Sequence, residues 1–332
     1  MLTRLTRIAG NSRLRIGLLA VVLVFCAYGL FVEWPQVTAS LGRLHVYSVI
    51  LSLVAAMAGG ACMMLAWRVV LADLGSPLPV RAAARISFVS QLGKYVPGAV
   101  WAFAAQVELG HDAGVPRRRS VAAFAVSLAI TIGAGLGVAA AVTPIASPDL
   151  IQRYWWALAA VPVIAIGLCP PVFGVAMDFL LRLVGRQPLE RRPSWPNLLR
   201  ALAWTLTGWG LLGLQVWLLL ADVAAGGPRL LLLATGGYAL AFSVSTLLVV
   251  FPSGIGAREV VLTAALTTVL SPGKAVAVAL VTRAVTTAAD LAWGGLGLAL
   301  GRLSGRHQPL TSQVAAAADV QALADPDVPA RH

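Results

Sequence analysis

Charged residues are scarce in this sequence. Only 11% of its 332 residues are Asp, Glu, Lys or Arg, whereas a soluble domain carries roughly 25%. Hydrophobic residues make up 59% of the chain, and its mean hydropathy is +0.84. The apolar stretches do not alternate with the period of two that a transmembrane β-strand needs. The composition therefore predicts an all-α integral membrane protein.

Cysteine and histidine are few as well. The three cysteines all lie inside apolar stretches, so no disulfide framework is predicted. The four histidines are scattered without the spacing of metal ligands. No acidic pair has metal-binding spacing, and no histidine lies within a span to serve a serine–histidine site near Ser253. We therefore predict no metal site, no cofactor and no catalytic residues.

Seven apolar windows are long enough to cross a membrane, which takes about 20 residues. Six of them carry no charge: Ile16–Val32, Val46–Trp67, Ser120–Val142, Tyr154–Met177, Ala201–Ala221 and Leu230–Ala257. The seventh, Ala275–Gly301, contains Arg283 and Asp290. These windows predict a polytopic transmembrane bundle of about seven full spans.

The windows divide the chain into three parts. Residues 1–15 form a basic N-terminus, residues 16–302 a transmembrane domain, and residues 303–332 a tail of mixed Ala, Gln, Pro and Asp that is predicted to be disordered. The first window is longer than the 7–15-residue apolar core of a signal peptide, and no clean cleavage site follows it. We therefore predict that it is an uncleaved helix.

Positive charge is distributed unevenly between the loops. Lys and Arg total 25 against 13 Asp and Glu, a net charge of +12. Arginines cluster before the first window and after the last, whereas alternate loops hold one arginine each. By the positive-inside rule both termini face the cytoplasm, which predicts a multi-pass protein of the inner (plasma) membrane. Since topology explains the basic composition, no nucleic-acid partner is predicted.

Two stretches interrupt the pattern of simple spans. The first, Arg85–Gly110, is apolar at both ends and is broken by Pro97-Gly98. Because both flanks carry cytoplasmic arginines, we interpret it as a re-entrant or interfacial segment. Irregular backbone survives at membrane depth only where it is buried in protein or lines a wet cavity.

The second stretch is Phe251–Glu259, followed by an apolar run to Leu270 that is too short to cross alone. We predict that this run is a half-helix that forms a hairpin with the seventh window. The presence of one broken segment in each half of the chain hints at an internal repeat.

Polar residues in these stretches recur every three or four positions, which places them on single helix faces. Lys94 follows Ser87 and Gln91, and Asp290 follows Arg283 and Thr287. A charge at the bilayer centre normally faces a cavity or a partner. Two interpretations stay open: Arg283 and Asp290 either contact a substrate or form an internal brace with Glu259 or Arg258. Lys94 either faces the same cavity or extends to the cytoplasmic surface.

At these two stretches the sequence resembles the lysylphosphatidylglycerol synthase transmembrane-region family. The resemblance rests on Gly93-Lys94-Tyr95-Val96-Pro97-Gly98-Ala99-Val100-Trp101 and on Pro252-Ser253-Gly254-Ile255-Gly256-Ala257-Arg258-Glu259, and it covers roughly residues 10–305. It implies a flippase-like fold that moves a lipid between leaflets. The family's synthase domain would follow the membrane region. Because the chain ends about 30 residues after the last span, we do not expect lipid synthesis to carry over.

A flippase-like role agrees with the chemistry of the broken segments. An anionic headgroup must be shielded as it crosses the apolar core, and broken helices offer free amides and positive dipole ends there. Arginine binds phosphate through two parallel hydrogen bonds. The candidate lipid-binding residues are Lys94, Pro97, Gly98, Pro252, Gly254, Gly256, Arg258, Glu259, Arg283 and Asp290. We expect Arg258, Glu259, Arg283 and Asp290 to face a single polar cavity that joins the two broken segments, although an ordinary tight loop would also explain Pro252, Gly254 and Gly256.

Other classes of function remain open. A non-transporting partner of a lipid- or glycan-modifying enzyme would show the same hydropathy. A membrane-embedded transferase is disfavoured by the missing catalytic groups. The expected ligand is a membrane lipid with an anionic headgroup, bound or moved between leaflets.

Overall fold

The computed structural model describes residues 38–39, 42–95, 101–146, 162, 164, 166–167, 169–183, 193–224, 227–247 and 256–303. These residues are overwhelmingly helical and include no strand. The predicted all-α class is therefore confirmed. The helices that the structure describes are α1 (Val46–Asp73), α2 (Val80–Gln91), α3 (Trp101–Asp112), α4 (Arg117–Ala146), α5 (Pro170–Leu183), α6 (Trp195–Val223), α7 (Pro228–Leu247), α8 (Ala257–Leu266) and α9 (Pro272–Leu303).

Within these ranges, five helices are long and apolar enough to cross a membrane, namely α1, α4, α6, α7 and α9. Each matches one predicted window, so the protein is a multi-pass membrane protein. The window Ile16–Val32 lies outside the described residues, as do the tail beyond Leu303 and residues 154–161, 163, 165 and 168 of the window Tyr154–Met177. The window Leu230–Ala257 covers α7 from Leu230 to Leu247 and extends to the turn at Gly256 and the first residue of α8; residues 248–255 lie outside the described residues.

Among the described helices, α1 and α6 share the most extensive contact. They cross at Gly59 and Gly208, where a Cβ on either residue would lie 3.3 Å from the other's carbonyl oxygen. Small residues allow this approach, which maximises van der Waals contact where lipid provides no hydrophobic driving force. The buried hydroxyl of Ser52 on α1 donates a hydrogen bond to the Gln215 carbonyl of α6 at 3.0 Å. The crossing provides the framework on which the shorter helices are placed.

The first broken segment forms a pair of short helices. Helices α2 and α3 have 12 residues each and contact one another. Both are too short to cross alone. Between them, a 3-10 turn covers Leu92–Tyr95, and Gly93 of this turn packs against the backbone at the start of α3. The helix α2 also packs along α9, where Gly294 and Gly297 make room for Leu92 and Val89.

The second broken segment is the predicted half-helix. Helix α8 has 10 residues, begins after Gly256 and packs against both α7 and α9. Gly256 has a φ of 85°, a left-handed conformation that costs glycine little and other residues more. The sequence therefore predicted this short helix and its hairpin with α9 correctly. The possible internal repeat stays a prediction.

Candidate functional site

The two short-helix segments meet at a cavity of about 250 Å³ inside the bundle. Its wall draws on α1, α2, α3, α4, α6, α7, α8 and α9 together with the 3-10 turn. The cavity is lined by four of the charged residues selected from the sequence: Lys94, Arg258, Arg283 and Asp290. The fifth, Glu259, lines a smaller adjoining pocket together with Arg258 and Arg283. The 3-10 turn, α8 and α9 thus bring charged residues from distant parts of the sequence together around adjoining pockets.

Lys94 and Asp290 form an ion pair across the cavity wall. The Lys94 Nζ lies 2.6 Å from Asp290 Oδ2, and the Tyr95 hydroxyl donates a hydrogen bond to the same oxygen at 2.7 Å. Both charged side chains are less than a third exposed. Lys94 therefore points into the bundle, against the interpretation that it extends to the cytoplasmic surface. The pair connects the 3-10 turn to the middle of α9.

Arg283 and Glu259 form a second pair, between α9 and α8. The Arg283 Nε lies 3.6 Å from Glu259 Oε1, and both side chains are about four-fifths buried. The other oxygen of Glu259 accepts a hydrogen bond from the Gly256 backbone N–H at 2.8 Å. Such a bond satisfies one of the free amides at a helix start. Glu259 thus has a brace role, as one of the two interpretations expected.

Arg258 has different surroundings. Its guanidinium lies 4.5 Å from the centre of the Phe242 ring, and its Nε donates a weak hydrogen bond to Ser245 Oγ at 3.5 Å. A cation over an aromatic face is stabilised by the ring quadrupole. Among the residues that the structure describes, no carboxylate pairs with Arg258. Its charge is therefore available to the cavity.

The charges around the cavity do not cancel. Three cations (Lys94, Arg258 and Arg283) stand against two carboxylates (Asp290 and Glu259), which leaves one excess positive charge among the described residues. A partly dry cavity screens this charge less than water does. The site is therefore suited to an anion.

Seven aromatic residues also line the wall: Trp67, Phe88, Phe124, Trp209, Tyr238, Phe242 and Trp293. The rings of Phe88 and Trp293 stack with centroids 4.2 Å apart and planes at 7°. The Trp293 indole N–H donates a hydrogen bond to the Met57 carbonyl at 3.0 Å. This stack holds α2, α9 and α1 together beside the cavity. The sequence did not identify these aromatics, because such residues in apolar helices are typical of ordinary packing.

Three polar atoms of the cavity-lining residues are buried without a hydrogen-bond partner. They are the indole nitrogens of Trp67 and Trp209 and the hydroxyl oxygen of Ser127. A buried donor that lacks a partner costs about 1–3 kcal/mol. Each of these atoms has almost no accessible surface, so none of them faces the open part of the cavity.

The remaining candidates stand as follows. Gly256 begins α8 and supplies the N–H that Glu259 accepts, so it lies one residue from Arg258. Pro97, Gly98, Pro252 and Gly254 lie outside the described residues. Tyr95, which the sequence did not single out, is a further part of the site, since it holds Asp290 from the position next to Lys94. Within the described chain, no group of His, Cys, Asp and Glu is arranged to hold a metal ion.

A second cavity, of about 410 Å³, lies beside α4 and α6. Its lining carries no charged residue and includes Ile130, Val138, Leu198 and Trp195. Such a surface is suited to hydrocarbon and offers an anion no partner. We therefore place the polar chemistry of the protein in the first cavity.

Sequence comparison assigns the chain to a family. Comparison with individual curated proteins gave no match. Residues 14–294 match the family described as lysylphosphatidylglycerol synthase TM region, a range that includes both short-helix segments and every charged residue of the cavity. The match covers well over half of the chain and agrees with its helical membrane fold. The chain therefore belongs to the lysylphosphatidylglycerol synthase transmembrane-region family, and it is an integral membrane protein related to lipid handling.

Proposed function

We propose that this protein binds an anionic lipid headgroup in the charged cavity and carries it between leaflets. The observation that supports this most directly is Arg258, a cation in the cavity wall with no carboxylate partner among the described residues. A charge left unpaired at membrane depth costs at least about 2.5 kcal/mol. An anionic ligand would offset that cost.

The size of the cavity supports binding of the headgroup alone. Its volume of about 250 Å³ is below the roughly 300–1,000 Å³ of sites that enclose a drug-sized ligand. The acyl or polyprenyl chains would therefore stay outside, in the bilayer or along the bundle surface. Binding of the headgroup alone matches a translocase, in which the protein shields only the polar part of the lipid, which partitions poorly into hydrocarbon.

The helix start at Gly256 adds to the positive potential. The N-terminus of α8 carries the positive end of the helix dipole, and Arg258 lies in its first turn. Broken helices whose N-termini face a cavity bind anionic groups of substrates in transporters. The two ion pairs would hold Lys94 and Arg283 near the path, so that a passing phosphate meets several cations in turn.

We further propose that the protein lies in the inner (plasma) membrane with both termini in the cytoplasm, and that it acts without catalysing a reaction. The clusters of arginine before the first apolar window and after the last support the orientation. The acidic groups of the cavity are each held by a cation, which leaves neither free as a general base.

The experiment is leaflet exchange in proteoliposomes with fluorescent anionic phospholipids and a polyprenyl-phosphate analogue. Wild-type protein should exchange at least one lipid class, and Arg258→Gln should slow that exchange at least tenfold. The matched control is Arg200→Gln, which removes an exposed arginine of α6 whose hydrogen bond to Asn197 lies one turn away on its own helix. Protein-dependent exchange that is the same in both variants would place the path elsewhere. No exchange from folded protein would favour a non-transporting partner of a lipid-modifying enzyme.

A further inference from the structure

We infer that the cavity selects a headgroup that carries negative charge and no amine. This inference rests on the proposed function, since it concerns the lipid bound at the same site. It follows from which acidic groups of the described wall are already paired with cations and which cation there has no acidic partner.

Both carboxylates at the site are committed to partners within the protein. Asp290 receives the Lys94 ammonium and the Tyr95 hydroxyl on one oxygen. Glu259 pairs with Arg283 through one oxygen and accepts the Gly256 N–H through the other. An ammonium has three donors and no acceptor, so it needs oxygen partners, and the neutral ones in the wall, such as those of Gln91 and Gln106, do not balance its charge. A lipid amine would compete with Lys94 or Arg283 for the carboxylates and would add to the excess positive charge of the wall.

The cation that no described carboxylate balances favours the opposite chemistry. Arg258 supplies a positive charge without a carboxylate partner among the described residues. Its guanidinium can only donate hydrogen bonds. Phosphate and hydroxyl oxygens accept such bonds, whereas an ammonium cannot. The cavity therefore suits a phosphodiester with neutral, oxygen-rich substituents.

With this selectivity, the protein would disfavour lysylphosphatidylglycerol, the lipid in the name of its family. Phosphatidylglycerol carries a single negative charge, whereas its lysyl ester adds two amines to the same phosphate. In this cavity the ester would bring those amines close to Arg258, and both carboxylates of the described wall are already paired with cations. We expect the unmodified lipid to be handled in preference to the aminoacylated one.

The test compares initial exchange rates of fluorescent phosphatidylglycerol, its lysyl ester and phosphatidylethanolamine with identical acyl chains. Wild-type protein should exchange phosphatidylglycerol at least tenfold faster than either amine-bearing lipid, a preference of about 1.4 kcal/mol. Arg258→Gln should reduce that ratio more than threefold, and the Arg200→Gln control should keep it. Equal or faster exchange of the lysyl ester would overturn the inference and leave translocation standing.

A binding measurement separates the two proposals. Trp67, Trp209 and Trp293 line the cavity, so tryptophan fluorescence should report soluble headgroups. Glycerophosphoglycerol should change the emission at a concentration at least tenfold lower than glycerophosphoethanolamine. If that preference holds and no lipid is exchanged, selective binding survives while translocation fails. The absence of any preference would overturn the inference even if Arg258→Gln cannot be recovered in folded form.

Discussion

Replacing Gly93 with alanine would place a Cβ 2.8 Å from the Ala102 backbone nitrogen, 2.9 Å from the Trp101 carbonyl carbon and 3.0 Å from the Ala102 Cα. Each of these atoms belongs to the backbone, so no change of rotamer can relieve the contact. The 3-10 turn and the start of α3 must separate, or the turn must deform. Because Lys94 is the next residue, the displacement would also move its ammonium relative to Asp290.

The energetic cost can be bounded from two opposing terms. Alanine in place of glycine gains up to about 1 kcal/mol within a regular helix, and less in a 3-10 turn. Forcing an extra carbon into a packed site costs about 1–3 kcal/mol. We therefore expect Gly93→Ala to lower the free energy of unfolding by about 1–2 kcal/mol and the unfolding midpoint by a few degrees. Lipid exchange should fall as well.

The matched control is Gly295→Ala on α9, where an added Cβ meets no atom within 4 Å. This variant should be neutral or slightly more stable, by up to about 1 kcal/mol, because alanine favours the helix. Thermal unfolding in detergent, followed by circular dichroism, measures both variants. If Gly93→Ala unfolds at the same or a higher temperature than Gly295→Ala, the close backbone approach does not exist and the reasoning is refuted.

Three further predictions concern the ion pairs. Asp290→Asn should weaken the coupling between the 3-10 turn and α9. A double-mutant cycle with Lys94→Gln should give an interaction energy of about 1 kcal/mol in the free energy of unfolding. If the effects of the two substitutions simply add, the ion pair does not contribute. Glu259→Gln should slow lipid exchange severalfold. Glu259→Asp keeps the negative charge, so its exchange rate should lie between those of Glu259→Gln and the wild type. Identical exchange rates in the two variants would argue against a role for the charge. The exposed Glu108–Arg117 pair is a negative control, so Glu108→Gln should leave the unfolding midpoint and exchange unchanged at pH 7. The Arg117 hydrogen bond lowers the pKa of Glu108. Any stability from that pair is therefore present above the ordinary pKa, pH 7 included, and is lost as the pH falls towards the lowered one. A lower midpoint of Glu108→Gln at pH 7 would show that this exposed pair contributes to stability, against our expectation.

Much of the fold was predictable because membrane helices leave a direct record in the sequence. A span needs about 20 apolar residues, and α1, α4, α6, α7 and α9 each coincide with such a window. The short length of α8 was predictable for the same reason. The crossing of α1 and α6 at Gly59 and Gly208 was not, since hydropathy measures partition into lipid and does not indicate which helices pack together.

Part of the site was predictable because charge at membrane depth is rare. Arg258, Glu259, Arg283 and Asp290 stood out against an apolar background, and the structure places them around adjoining pockets. The partners could not be assigned from spacing alone, since Lys94 and Asp290 are separated by 195 intervening positions and meet only through tertiary packing. The aromatic lining could not be recognised either, because Trp67 and Trp209 carry no signal that separates a cavity wall from a packed core.

One carboxylate of the site has two tasks at once. Glu259 fixes the backbone at Gly256 with one oxygen and balances Arg283 with the other. A substitution at this position would therefore change both the start of α8 and the net charge that the cavity presents. Natural variation cannot adjust one property without the other, so positions 259 and 283 should change together among related sequences. Where 259 loses its acid, 283 should lose its base.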